Sequence, residues 1–148
     1  MKVLMVTNIY PHPELPSLGS FVKSQVDSIV REGVETDVLF INASKSRFEY
    51  VKAAVEVFKH SFQNKYDCIH AHYGFSGIIA RMQWKLPLLI SFCGDDILGT
   101  PKPNGVRTAS SLVFVFLSHI LSFFADAIIV KSQEMKRKLL VRDNVFVI

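Results

Sequence analysis

Cysteine is nearly missing from this sequence: two residues in 148, Cys68 and Cys93. Cys68 opens one short apolar run and Cys93 follows the close of another, so a parallel sheet places them at opposite edges. Roughly four strand residues at ~3.3 Å each separate them, beyond the reach of a disulfide. Both thiols are expected to be free, and a reduced, cytoplasmic setting follows. Glycine and proline are also few, 7 and 6. The first loop, Asn8 to Gly19, holds one glycine, far from the strand before it. That excludes a Gly-x-Gly-x-x-Gly dinucleotide turn, and a P-loop is likewise absent. No Gly-x-Ser-x-Gly elbow of a hydrolase is present. Acidic residues are missing after the first and third strands, where Asn8 and His72 stand. A response-regulator receiver is disfavoured on that ground, although Lys131 after the fifth strand would suit one. The opening Met-Lys-Val-Leu-Met-Val-Thr-Asn lacks the apolar core and cleavage site of a secretory signal and has the pattern of a first strand. The longest apolar stretch, Ser111 to Val130, is interrupted by Ser118, His119, Ser122 and Asp126, which argues against a membrane span. The formal charge of +4 is mild. It is compatible with a weak attraction to anionic lipid or a phosphorylated ligand, and no nucleic-acid partner is expected.

Apolar residues make up 49% of the chain, and the length suits one domain, residues 1–148, with a real core. Strand and helix patterns alternate throughout. Strands are expected at Lys2 to Val6, Glu35 to Ile41, Cys68 to Ala71, Pro87 to Phe92, Ala127 to Val130 and Val145 to Ile148. The first helix has Phe21, Val22, Val26, Ile29 and Val30 on one face and stops at Gly33. The second runs from Phe48 to Phe62, with Val51, Ala54, Val55 and Phe58 as its apolar stripe and Lys52, Glu56 and Lys59 toward water. Phe75 to Lys85 is a crossover helix, and an apolar helix runs from about Arg107 to Phe124. A loop with Pro101 and Pro103 joins Gly94 to Gly105. The last helix is basic, containing Lys136, Arg137 and Lys138. The order predicts an α/β fold: a doubly wound, mostly parallel Rossmann-like sheet with helices on both faces.

Ligands of open parallel sheets bind beyond the carboxyl ends of the strands. Two polar turns fall there, His72-Tyr73-Gly74 and Cys93-Gly94-Asp95-Asp96. His70 shares a strand face with His72 but lies within the strand, so it is expected to be packed or hydrogen-bonded. Gly19 and Ser20 open the first helix. Its free N–H groups suit an anion, and Ser20 equally suits a plain helix cap. Ser132 stands at the start of the basic helix and also fits a cap. Cys93 either shapes the pocket or acts as a nucleophile with His72 as base. Asp95 and Asp96 are adjacent, so their carboxylates tend to diverge, and no His or Cys cluster completes a metal site.

Five segments together resemble the N-terminal domain of the family 4 retaining glycosyltransferases, which have the two-domain GT-B fold. They are Val-Leu-Met-Val-Thr-Asn-Ile-Tyr-Pro at 3–11, Gly-Ser-Phe-Val-Lys-Ser-Gln-Val at 19–26, Ile-His-Ala-His-Tyr-Gly at 69–74, Ser-Phe-Cys-Gly-Asp-Asp at 91–96 and Ala-Asp-Ala-Ile-Ile-Val-Lys-Ser at 125–132. The resemblance implies transfer of a hexose-type sugar from a nucleotide diphosphate sugar to an acceptor hydroxyl, with retention. It implies no resident cofactor and no metal. It assigns Gly19 and Ser20 to the acceptor and donor phosphates, His72, Tyr73 and Gly74 to the polar turn after the third strand, and Ser132 to the same cleft. Cys93, Gly94, Asp95 and Asp96 match a turn near the transferring sugar, in which the family usually has His where this chain has Cys93. A thiol is a weak donor and does not fully replace imidazole. The resemblance also implies that the partner of this domain is a C-terminal, donor-binding domain absent from these residues. The competing expectation is a non-catalytic α/β binding or receiver-like module. The basic set Lys131, Lys136, Arg137, Lys138 and Arg142, beside the apolar helix with Phe114, Phe116, Phe123 and Phe124, suggests a peripheral contact with an anionic membrane face.

Overall fold

The structure is a computed structural model and describes residues 1–100, 108–141 and 143–148. Six parallel strands form one sheet: β1 (Lys2–Thr7), β2 (Glu35–Phe40), β3 (Cys68–His72), β4 (Leu88–Ser91), β5 (Ala127–Val130) and β6 (Val145–Val147), in the order β2-β1-β3-β4-β5-β6. The connecting helices are α1 (Ser20–Arg31), α2 (Phe48–Phe62), α3 (Gly74–Ala80), α4 (Asp95–Leu98), α5 (Ala109–Ser122) and α6 (Gln133–Lys138). The β1→β2 step runs opposite to the later ones. Right-handed crossovers therefore put α1 on one face of the sheet and α2, α3 and α5 on the other. Chain direction reverses between β1 and β3, the position where a doubly wound sheet opens a crevice.

Period-2 alternation sorts the strands. Val6, Ala71, Ile90 and Ile128 stand in register across four strands. They join Ala53 and Val57 of α2, Ala80 of α3 and Leu121 of α5 in the main core. On the α1 side, Val3 and Met5 are buried, as are Val22 and Val26. Helix α1 ends as its glycine dictates: Gly33 has φ 82, just past the C-cap Glu32.

Several expected features shift. The third strand extends through His72, so this residue is not in a turn. The helix expected over Phe75 to Lys85 is the seven-residue α3. Inside the expected Gly94-to-Gly105 loop lies the single turn α4; Pro101, Pro103 and Gly105 fall outside the described residues, as do Arg107 and Arg142. The stripe on α2 is reversed. Ala53, Val57 and Ser61 are buried, while Val51, Val55 and Phe58 are exposed. Two apolar stripes exist on this helix, and the one with smaller side chains is turned inward, where α2 packs beside α3. Helix α1 likewise buries Val22 and Val26 but exposes Phe21 and Val30. Among the described residues no helix is long and apolar enough to cross a membrane.

Candidate functional site

The carboxyl ends of β1, β3, β4 and β5 deliver Asn8, Tyr73, Cys93 and Lys131 to one edge of the sheet. Every site residue expected from the sequence lies on or next to that edge. They do not all meet in one pocket.

Gly19 is the N-cap of α1, with φ 64 and no side-chain cap bond. A Cβ there would lie 2.5 Å from the Ile9 carbonyl oxygen and 3.0 Å from the Tyr10 nitrogen. The loop leaving β1 thus rests on this glycine. Ser20, expected as a cap, is instead the first helical residue and is exposed. The physical reason is that the left-handed cap conformation falls on the residue without a Cβ.

His72 corrects the expectation of a polar turn residue. It is 1% exposed, in register with Thr7 and Ser91. Its ring stacks on that of His70 at 4.8 Å, and neither of its nitrogens has a hydrogen-bond partner among the described residues. Burial, with Lys131 nearby, pulls its pKa down to about 4, so it is neutral at pH 7. His70 is placed as expected: its Nε2 lies 2.8 Å from Ser91 Oγ, and burial lowers its pKa to about 3.

The second turn is fixed by Asp96. Its carboxylate accepts the Cys93 N–H at 2.8 Å and also the Gly74 N–H. Burial nevertheless raises its pKa to about 6. One side chain thereby ties the turn after β4 to the turn after β3. Asp95 is exposed whereas Asp96 is buried, and both line the same cavity. The Cys93 thiol is pushed up to about 11, mainly by burial and by Asp96, and its Sγ donates to the Ser91 carbonyl at 3.8 Å. A protonated thiol turned to a backbone oxygen is not a nucleophile, and His72 does not bond to it. The cysteine–histidine pair is not formed. Both cysteines are free. Ser132 caps α6, accepting the Met135 N–H at 3.2 Å.

Between α3 and α5 a cavity of about 160 Å³ opens at this edge. Its polar wall is Asn8, Tyr73, Asp95 and Asp96, and its apolar wall is Phe75, Ile78 and Phe114. Tyr73 holds a strained backbone, φ 71, with its N–H on the Ser91 carbonyl at 3.1 Å. Its phenol is pushed up to about 12 by burial and by the Cys93 and Asp96 charges, and stays a donor. Gly74 is required to be small because Ser118 of α5 occupies the space of a side chain. Of the expected residues, Tyr73, Gly74, Asp95 and Asp96 line this cavity. Cys93 reaches it through Asp96. Gly19, Ser20, His72, Gly94 and Ser132 border the same edge outside it.

Asn8 was overlooked as a site residue. The signal was available: it follows β1 at the switch of chain direction. The Ser76 hydroxyl donates to its Oδ1 at 3.4 Å, and its Nδ2 donates to the Tyr50 hydroxyl at 3.5 Å. Phe75, Phe114 and Ser111 were overlooked because an apolar helix gives no sign of which flank meets a ligand. Among the described residues no group of three or more His, Cys, Asp or Glu is placed to hold a metal ion.

A family model described as glycosyl transferase 4-like matches residues 19–132. The match begins at the glycine under the first loop and ends at the serine that caps α6. No curated protein matches the chain.

Proposed function

The chain belongs to the glycosyl transferase 4-like family, and on that premise we propose that the cavity between α3 and α5 receives the acceptor in a retaining glycosyl transfer from a nucleotide diphosphate sugar. The observation that carries the reading is the make-up of the cavity: hydroxyl-binding groups from Asn8, Tyr73 and Asp95 face two aromatic rings across the carboxyl edge of the sheet. Sugars present hydroxyls around an apolar ring face, and such a wall suits both.

The residues divide the work. Asp95, exposed at the cavity, accepts a hydrogen bond from an acceptor hydroxyl. Tyr73 donates one. Asp96 does not need to touch substrate; it holds the Cys93 and Gly74 amides and keeps the two turns at a fixed separation. Cys93 and Gly94 then shape the sugar side of the site. His72 brings a neutral imidazole whose nitrogens are unpartnered, and Gly19-Ser20 with Ser132 border the donor phosphates at helix starts. The transfer takes the nucleotide sugar as co-substrate and uses no resident cofactor or metal. Beyond that border contact these residues do not hold the donor, so this chain by itself orients one reactant. Orientation accelerates reaction only when both reactants are held, and a cleft with one wall stays wet.

Calorimetry of the chain with UDP- and GDP-sugars and, separately, with simple hexosides tests this. Weak or absent nucleotide-sugar binding is expected, with hexoside binding weakened roughly tenfold by Asp95→Asn, the loss of one charge-assisted bond. Tight nucleotide-sugar binding or robust transfer by these residues alone overturns the assignment.

A further inference from the structure

The helical layer formed by α2, α3 and α5 is built inside out. Helix α5 buries Ser111, Ser118 and Ser122 with Leu121, and exposes Leu112, Val113, Phe116 and Ile120. Helix α2 buries Ala53, Val57 and Ser61, and exposes Phe48, Val51, Val55, Phe58 and Phe62. Small residues face inward because α3 is wedged between its neighbours: a Cβ on Gly77 would lie 2.6 Å from Leu121 Cδ2. Of the twenty-one large apolar side chains that are exposed among the described residues, fourteen belong to α2, α5 and the adjoining residues 82–84 and 123–124. Single exposed apolar residues are ordinary; a concentration of this size on one layer marks an interaction surface.

The patch is continuous. Phe58 and Phe62 share one groove with Met82 and Trp84. Trp84 in turn shares the next groove with Phe123 and Phe124 of the α5 end. At the other end Phe75 links Tyr50 of α2 to Phe114 of α5, with ring centroids 5.2 and 4.9 Å apart. The surface lies along the side of the sheet and reaches its amino edge beside Pro87, so a partner that closes the strand ends would leave it open.

Charge selects the occupant. Across residues 45–65 and 81–85 there are seven Lys and Arg against two Asp and Glu, while residues 109–124 carry no charge. Two of these cations meet carboxylates from outside those ranges, Lys65 with Asp37 at 2.9 Å and Arg81 with Asp126 at 3.8 Å, which leaves a smaller basic excess on this layer. Lys85 lies 5.4 Å from the Phe62 ring and Arg81 4.2 Å from the Trp84 ring, each cation beside an exposed aromatic. A wide apolar face with basic residues among its aromatics matches the boundary between anionic headgroups and acyl chains. The absence of a spanning helix among the described residues fits a surface that lies on a bilayer rather than through it. The basic helix α6 contributes less than the sequence suggested, since Lys136 donates to the Val145 carbonyl.

We propose that the outer face of α2 and α5, with Trp84 between them, docks flat on an anionic lipid bilayer. The proposal stands apart from the acceptor assignment. Trp84 is the one tryptophan of the chain and is 70% exposed, so its emission reports on this face alone. Vesicles of phosphatidylcholine with phosphatidylglycerol are added to the chain, against vesicles of phosphatidylcholine alone. Co-sedimentation is expected to be at least about tenfold stronger with the anionic vesicles and to weaken in ~0.5 M salt. Trp84 emission should move to shorter wavelength and be quenched by lipids brominated on the acyl chains. The solvent-facing pair Phe116→Ser and Lys59→Glu, with near-ultraviolet circular dichroism unchanged, should lower binding roughly tenfold, since each removes membrane contact without touching the core. Failure to sediment with anionic vesicles overturns the proposal. So does sedimentation that leaves Trp84 emission unchanged, which would locate the contact elsewhere. A monomer–dimer equilibrium abolished by Phe116→Ser, without vesicle binding, assigns the face to a second copy and also overturns it.

Discussion

Gly19 holds a left-handed backbone against the Ile9 carbonyl, and no other residue type meets both conditions. Gly19→Ala adds a Cβ that must displace backbone, so a loss of roughly 1–3 kcal/mol is expected in urea unfolding. An unchanged midpoint would show that the first loop does not rest on this glycine. His72 presents the opposite case, a buried polar ring without a protein partner. Buried polar groups left unpaired are rare and call for a bound partner or a functional role. His72 is 1% exposed and lies outside the cavity, and its ring packs on His70. Sequence alone marked His72 as a candidate site residue in a turn, and the structure puts it in β3. Strand length was misjudged because Ala71-His72-Tyr73 has no glycine or proline to mark where pairing ends. Asp96 was identified too, while its grip on the Cys93 and Gly74 amides depends on two turns 20 residues apart in sequence meeting in space.

Small residues decide the helical layer. Alanine favours a helix over glycine by up to ~1 kcal/mol, yet Gly77→Ala should destabilise by roughly 1–3 kcal/mol, because its Cβ would meet the Leu121 methyl and lie 3.3 Å from Ile90. Trimming the neighbour relieves the clash, so Gly77→Ala combined with Leu121→Val should lose less than the two single losses added together. Additive losses in a double-mutant cycle would sink the close-packing account. The same layer explains why the α2 stripe was assigned to the wrong side. Hydrophobic periodicity ranks faces by apolar content, and on α2 the face richer in large side chains is the one turned outward. A 3.6-residue period establishes that a helix exists; which face it turns inward is set by its neighbours, here α3.

Protons bind unevenly to the folded and unfolded whole. His70 and His72 have folded pKa values of about 3 and about 4, below the ordinary 6.5. Their contribution is present above pH 6.5 and is lost as pH falls toward 4, at roughly 2 kcal/mol each by pH 5. Asp96 acts with the opposite sign. Its folded pKa of about 6 exceeds the ordinary 3.8, so its contribution is full below about 4 and is lost as pH rises through 6. The two histidines outweigh it, and denaturant midpoints should fall between pH 7 and pH 5. His72→Phe should flatten that slope whatever it does to stability at pH 7; an unaltered slope would mean that His72 is not held neutral by burial. By itself the sequence determined the alternation of six strands with their helices, the parallel sheet, the edge on which the candidate site residues gather and the family, because these follow from local apolar periodicity, turn chemistry and short motifs in order. Tertiary structure alone decided the face each helix presents, the burial of His72, the clasp made by Asp96 and the cavity between α3 and α5. Each depends on how closely two elements distant in sequence approach, and that distance is set by the volume of side chains on both, which no single segment contains.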